Sequence, residues 1–394
     1  MHRYRIPHRV SGITLARFDT LNTRAAMLVR QGHTVINLGQ ALPHFGPPES
    51  AIRAARDGLA CRDVHVYSED AGRGSLREAL CARLSEHHGI DATPDEVIIT
   101  AGGNQAFALA AMTLLDPGDE VLLPAPYFVN HEMMLRGVGA VPKPVSLSEQ
   151  DRFAVRWSEL APHVTPRTRA VVLCNPSNPT GAIIRERDQC ALVCELAVRG
   201  IVAIVDETYM HFVYEEQRHA SAAAVPGWRD AVVLVNTFSK SFGMTGWRIG
   251  YMIAPRDVCT EAIKIQDAMV ICAPTIAQVA VEAAIRHDWT YPLSFRDEFA
   301  ARRSILIQEL SSIPHLHWPP TDGAFFAFVR VDGCTDSDRL ADELLEQVHV
   351  VTIPGRTFGE AGEGCLRISY GAVDARALQE GTSRLRRFFD RWRP

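Results

Sequence analysis

Ala231-Val-Val-Leu-Val-Asn-Thr-Phe-Ser-Lys-Ser241 passes from an unbroken apolar run into a lysine flanked by small hydroxyl residues. A strand buried on both faces reads as a continuous apolar run, the habit of parallel sheets covered by helices. Arg169-Ala-Val-Val-Leu-Cys174 and Ile201-Val-Ala-Ile-Val205 read the same way. Around them, from about residue 95 onward, short β-rich runs alternate with segments of helical period, the pattern of a mainly parallel α/β sheet. Glu96-Val-Ile-Ile-Thr100 and Glu120-Val-Leu-Leu-Pro124 are the earlier strands, with a helix from Gln105 to Leu115 between them. Asp116-Pro-Gly-Asp119 is a turn, because Pro presets φ and Gly accepts positive φ. Arg248 to Ala254 reads as a further strand, while Thr275 to His287 and Ser294 to Leu310 carry helical spacing. The last third is mixed, with strands expected at Phe325–Val329 and Cys365–Ser369.

Length and composition narrow the classes. A chain of 394 residues, 47% hydrophobic and 22% charged, is ordinary globular material with room for two domains, or one large and one smaller. A formal net charge of -5 gives no electrostatic reason to expect a nucleic-acid or anionic-membrane partner. The longest nearly apolar stretch, Ala106 to Leu115, is far too short to span a bilayer. The opening from Met1 to Val10 is basic, but no apolar core or cleavage site follows, so no secretory signal is expected. The nine cysteines form no C-x-x-C pair, and a reducing cytoplasm is the simplest setting for them. Cys190 and Cys194, four apart on an expected helix, read as buried thiols. His131-Glu132 lacks the second His of a zinc helix, so no metal site is expected.

Chemistry gathers where strands end, which is where open α/β sheets bind ligands. Lys240 between Ser239 and Ser241, with Arg248 downstream, suits an aldehyde that also carries a phosphate: the amine bonds the aldehyde, and hydroxyls and guanidinium hold the phosphate. Pyridoxal 5'-phosphate is such a molecule. Ala101-Gly-Gly-Asn-Gln105 opens a helix with backbone N–H groups that a phosphate could approach. Asn175-Pro-Ser-Asn-Pro-Thr-Gly181 projects the Asn178 amide from a proline-stiffened loop. Asp206, in Asp206-Glu-Thr-Tyr209, closes an apolar strand and needs a cationic or hydrogen-bonding partner. A protonated pyridine nitrogen is one such partner, and Tyr209 then lies within reach of the ring's phenolic oxygen. Each feature also has a bland reading: an exposed lysine in a Ser-rich loop, a glycine turn, a rigid loop, a capping Asp. Their order and spacing, 178 to 206 to 240, each closing its own strand, point to one site.

N-P-x-N-P-T-G, D-E-x-Y, S-K-S-F-G-M-T-G-W-R-I-G and the late L-R-I-S together resemble the class I and II aminotransferase family, of the aspartate aminotransferase fold (PLP fold type I). The resemblance runs from Ile36-Asn-Leu-Gly-Gln40 to Arg367-Ile-Ser369. It implies a large α/β domain over 46–285, whose mainly parallel sheet is flanked by helices. It also implies a smaller α+β domain built from both chain ends: an N-terminal arm and part of the small domain over 1–45, and the C-terminal part over 286–394. By the same resemblance Lys240 would bond the cofactor and shuttle the proton, Asp206 would pair with the ring nitrogen, and Tyr209 and Asn178 would bond the ring oxygen. Thr237, Arg248, Gly103 and Asn104 would hold the phosphate, Phe128 would stack on the ring, and His131 would stand behind Asp206. Arg367 would clamp the substrate α-carboxylate, with Gly39 beside it, and Tyr67 would reach the phosphate of a neighbouring subunit in a homodimer with shared sites.

The implied reaction moves an amino group between an L-amino acid and a 2-oxo acid. Two departures from the family's G-x-P-D-F stand near the expected entrance, where Ala41-Leu-Pro-His-Phe45 has Ala41 for Gly and His44 for Asp. No Lys or Arg lies in the helix Asn104 to Leu115 to meet a second substrate carboxylate, which favours a neutral or hydrophobic donor unless a neighbouring subunit supplies the charge. The competing enzyme reading is a lyase, performing β- or γ-elimination or decarboxylation with the same residues. A PLP-binding regulator would need a helix-turn-helix module that the residues before Asn37 are too few to supply. A nicotinamide dehydrogenase would need a G-x-G-x-x-G after the first strand, and none is there.

Overall fold

A computed structural model describes residues 4–214 and 218–393 of the chain; residues 1–3 of the basic opening lie outside it. The helix Phe18–Arg30 leads into a two-residue strand, β1 (Ile36–Asn37). The central sheet then takes β2 (Val97–Thr100), β3 (Glu120–Ala125), β4 (Val141–Ser146), β5 (Thr168–Cys174), β6 (Val202–Asp206), β7 (Val232–Thr237) and β8 (Gly250–Ile253). Their order across the sheet is β2-β8-β7-β6-β5-β3-β4. All neighbours are parallel except β8, which runs antiparallel between β2 and β7. The sheet is therefore mainly parallel, as expected. The aliphatic run of β6 shows why: Ala203, Ile204 and Val205 are fully buried on alternating faces, and helices cover both. Each such buried large aliphatic contributes about 1.5–3 kcal/mol relative to exposure.

The chain ends meet in smaller sheets. β1 pairs in parallel with β11 (Val350–Val351), and a four-stranded antiparallel sheet joins β9 (Leu316–His317), β10 (Phe326–Val331), β12 (Ile353–Pro354) and β13 (Cys365–Ser369). Its core is aromatic: Phe212, Phe299 and Phe325 meet with ring centroids 5.2–5.7 Å apart.

Local chemistry moved three boundaries. The expected strand at Arg248 starts instead at Gly250, because Arg248 sits in the left-handed region at φ 51 and turns out of the ladder. The expected helix at Gln105 begins at Gly103, after Gly102 has made the turn at φ 87. The helix expected from Ser294 begins at Tyr291, with Pro292 in its first turn, where a missing N–H is harmless. The two cysteines expected to be buried are not: Cys190 is half-buried and Cys194 exposed. In the helix Glu186–Arg199 the inward stripe is Gln189, Leu192, Val193 and Leu196, which leaves Cys194 on the outer face. Among the described residues no helix is long and apolar enough to cross a membrane, and no group of His, Cys, Asp or Glu could hold a metal ion.

Candidate active site

Strand register brings the chemistry to one edge. Cys174 lies opposite Asp206 and Asp206 opposite Val235, while Thr100 and Thr237 both lie opposite Gly250. The carboxyl ends of β2, β5, β6 and β7 thus converge on a cavity of about 340 Å³. Its wall includes Gly103, Asn104, Phe128, Asn178, Asp206, Tyr209, Thr237, Lys240, Arg248 and Arg367, ten of the twelve residues singled out above from the sequence for cofactor or substrate contact. The other two lie elsewhere. Tyr67 is 74% exposed, outside the cavity. Gly39 stands behind Arg367, accepting a hydrogen bond from its Nη2 through the backbone carbonyl.

Lys240 rides on the short helix Phe238–Ser241 that follows β7. Thr237 caps that helix, its Oγ1 accepting from the Ser239 N–H at 3.2 Å. The Lys240 Nζ donates to the Ala41 carbonyl at 2.7 Å. Burial first, and then the charges of Arg367 and Arg248, bring its pKa down to about 8 against the opposing pull of Asp206. The chain's other lysines, Lys143 and Lys264, are exposed. Lys240 is the one lysine that could act as a nucleophile near neutral pH.

Asp206 keeps its charge. Burial alone would raise its carboxyl, but the His131 Nε2 at 3.1 Å and the Thr208 N–H at 2.9 Å outweigh that and leave it lowered. His131 is fixed in turn by Phe107, stacked at 4.4 Å, and by the edge of Phe128 at 5.3 Å. Tyr209 is buried, with Phe325 and Phe326 each 5.3 Å from its ring, and burial holds its phenol well above the usual range, opposed by Arg367.

Arg367, in the middle of β13, is 1% exposed. Its Nη1 donates to Asn178 Oδ1 at 2.9 Å, and Phe18, Phe326 and Phe358 surround the guanidinium at 4.8–5.3 Å. Burial lowers its pKa to about 10, so it stays cationic. Its Nε is buried without a partner, an open donor on a group that offers five. With one lone pair of its oxygen taken by Arg367, the Asn178 amide still offers its two N–H donors.

At the opposite end, a Cβ on Gly102 would collide with Arg248 Nη2, and one on Gly250 would lie 2.6 Å from the Asn236 carbonyl. Only glycine permits this close approach of backbone and guanidinium. The Gly103 and Asn104 N–H groups begin the helix Gly103–Leu114, beside Arg248, Thr237 and Ser239. Tested against pyridoxal phosphate, this donor set fits: cations and N–H groups for a phosphate, an ionised carboxylate for a protonated ring nitrogen, and a depressed lysine for the aldehyde.

Other wall residues carried no signal in the sequence. Phe18 and Asn22 come from the helix Phe18–Arg30. Thr208 sits inside Asp206-Glu-Thr-Tyr209, and its role as a backbone donor to Asp206 is visible only in three dimensions. A larger open groove of about 990 Å³ lies over the chain's last helix, where Arg384 pairs with Glu380 at 2.7 Å and Arg339 with Glu343 at 2.8 Å.

Comparison with known proteins agrees with this geometry. Residues 33–385 match the family described as aminotransferase class I and II. The chain is 33% identical over 355 residues to an aspartate aminotransferase of Pyrococcus abyssi, covering 89% of this chain and 90% of that protein. It is 34% identical over 355 residues to an aromatic-amino-acid aminotransferase of Thermococcus litoralis, with the same coverage, 89% and 90%. Among solved structures, the aspartate aminotransferase of Thermus thermophilus with maleate superposes with a TM-score of 0.92 at 32% identity, covering 98% of this chain and 99% of that one.

Proposed function

The chain belongs to the class I and II aminotransferase family, and from that premise we propose that it takes a neutral or hydrophobic L-amino acid as donor and passes the amino group to a 2-oxo acid. That it is a pyridoxal-phosphate-dependent aminotransferase follows from the family. The donor class is the finer reading. Relatives are named for aspartate, for aromatic amino acids and for prephenate, so kinship alone does not choose among donors. The observation that carries the choice is the cavity wall. Its cations among the described residues are Lys240, Arg248 and Arg367, each matched to amine, phosphate or α-carboxylate, while Phe18 and Leu42 add apolar surface. Within one chain, a second substrate carboxylate would be desolvated with no further cation to meet it. In a panel of donors with one oxo acid acceptor, L-phenylalanine and L-leucine should exceed L-aspartate in kcat/KM by about tenfold or more. A preference for L-aspartate would overturn the donor class and leave the family untouched.

Bound pyridoxal phosphate supplies an electron sink for the bond broken at Cα. In our reading Lys240 would hold and move the Cα proton, Asp206 would keep the ring nitrogen protonated, and Asn178 and Tyr209 would bond the ring oxygen. Phe128 would stack on the ring, while Gly103, Asn104, Thr237 and Arg248 would hold the phosphate. Arg367 holds the α-carboxylate with its planar fork, and Gly39 orients it. Arg367→Lys should then raise KM for every donor by about 10- to 100-fold, since a point charge replaces a bidentate donor. An unchanged KM would mean the carboxylate is held elsewhere.

We also take the working unit to be a homodimer with shared sites. Leu59, Val66, Tyr67, Met269 and Val270 are large apolar side chains at least 40% exposed, which supports a covered face there. Tyr67→Ala and Lys240→Ala, each defective, should complement on mixing, with random hybrids restoring about a quarter of wild-type sites. A fully active monomer by light scattering would contradict this. Sheet membership supports 46–285 as the cofactor-binding domain, with 1–45 and 286–394 forming the second unit. The free cysteines support a reducing, cytoplasmic setting.

A further inference from the structure

We propose that His44 is a positioning residue that pins the segment Gln40–Phe45 over the cavity and thereby controls how donors with large side chains bind; this rests on the aminotransferase reading of the same site. Gln40, Ala41 and Leu42 line the cavity, and the Ala41 carbonyl accepts from Lys240. The segment has no helix or strand of its own to hold it. It is held by the helix Tyr291–Leu310 and by the turn after β13. Phe45 stacks on Phe295 at 3.8 Å, and the Tyr291 hydroxyl donates to the Gly46 carbonyl at 2.9 Å. A Cβ at Gly371 would come within 2.7 Å of the Leu42 carbonyl, so the turn presses directly on the segment.

Within 40–45, His44 supplies the polar side-chain bonds to that helix. Its Nδ1 faces Arg302 Nη1 at 2.9 Å, and its Nε2 faces Glu298 Oε2 at 2.9 Å. Arginine only donates, so Nδ1 must accept; the carboxylate only accepts, so Nε2 carries the proton. Both bonds therefore require the neutral ring in one tautomer. Arg302 Nη2 also donates to Glu298, at 3.1 Å, which closes a ring of three side chains. An Asp at this position, as the family pattern has, would face Glu298 with like charge. A neutral donor-acceptor leaves the Arg302–Glu298 pair balanced.

The titrating surroundings are few. Burial and the Arg302 charge lower the His44 pKa, opposed by Glu298 and by the Gly371 carbonyl. Asp374 and Tyr214 act in turn on Arg302, whose pKa burial lowers. The ring is neutral at neutral pH. Below the ordinary histidine range it gains a proton at Nδ1, turning an acceptor into a donor against the guanidinium, and the clasp opens.

The test uses holoenzyme and whichever bulky donor the wild type prefers, with L-alanine as the donor lacking side chain beyond Cβ. His44→Ala should raise KM for the bulky donor about tenfold with kcat nearly unchanged, while L-alanine shifts less than about twofold. His44→Asn keeps one donor and one acceptor without titrating, so it should restore most of that KM at neutral pH. The wild-type KM should rise on the acid side, and His44→Asn should lack that rise. If His44→Ala fails to fold, Glu298→Gln serves instead, moving the acid rise to lower pH by removing the charge that favours the protonated ring. Equal shifts for L-alanine and the bulky donor, or an acid rise that persists in His44→Asn, would overturn the proposal. A wild type that prefers L-aspartate defeats only the donor class, because the comparison is between variants on one substrate.

Discussion

Lys240→Ala is expected to lose at least about 10⁴-fold in turnover while the cofactor remains bound. The two effects separate because the residues proposed for the phosphate, Arg248, Thr237 and the Gly103 and Asn104 N–H groups, are independent of the amine. The lysine amine is prepared for its task by the site: burial and two nearby arginines bring its pKa to about 8, so a useful share is unprotonated near neutrality. No other lysine is buried, since Lys143 and Lys264 are exposed and Lys264 is paired with Glu261 at 2.7 Å. Borohydride reduction followed by peptide mapping should therefore fix the cofactor on the Lys240 peptide and on no other. A label on Lys143 or Lys264, or substantial turnover by Lys240→Ala, would show that the amine has been misplaced.

Asp206→Asn should be the next most damaging change, with a loss of about 2–5 kcal/mol, or about 30- to 4,000-fold in kcat. An amide cannot balance a protonated ring nitrogen. His131, Phe107 and Thr208 are arranged to keep a carboxylate ionised there despite burial, and the substitution leaves that arrangement without its charge. Cofactor content should fall far less than kcat, because the phosphate contacts are untouched. Near wild-type turnover in a fully loaded Asp206→Asn enzyme would remove the role given to Asp206.

Much of this was legible in the residues. Apolar runs at 170–174, 201–205 and 231–235 mark strands buried on both faces, and Asn178, Asp206 and Thr237, which follow them in the chain, line the cavity. The reversal of β8 was not legible, because a short apolar strand carries no sign of its direction. Nor was the exit of Arg248 from that strand, which depends on a left-handed backbone at a non-glycine residue. Cys194 shows the limit of composition: only the phase of the helix, set by Leu192, Val193 and Leu196, turns it outward. Phe18 and Asn22 reach the wall from a distant helix, and nothing local in their surroundings announces a site. In the sequence His44 stands out only as a departure from the family pattern; its meaning lies in the Glu298 and Arg302 side chains, more than 250 residues away.

Above all, this cavity is held to transfer an amino group rather than to eliminate or decarboxylate. The direct measurement is a single-turnover reaction of holoenzyme with a preferred amino acid and no acceptor, followed by product identification. One equivalent of the matching 2-oxo acid per site, no free ammonia or carbon dioxide, and renewed turnover only when a second 2-oxo acid is added is the predicted result. Continuous release of ammonia or carbon dioxide without an acceptor would contradict it and make the protein a lyase.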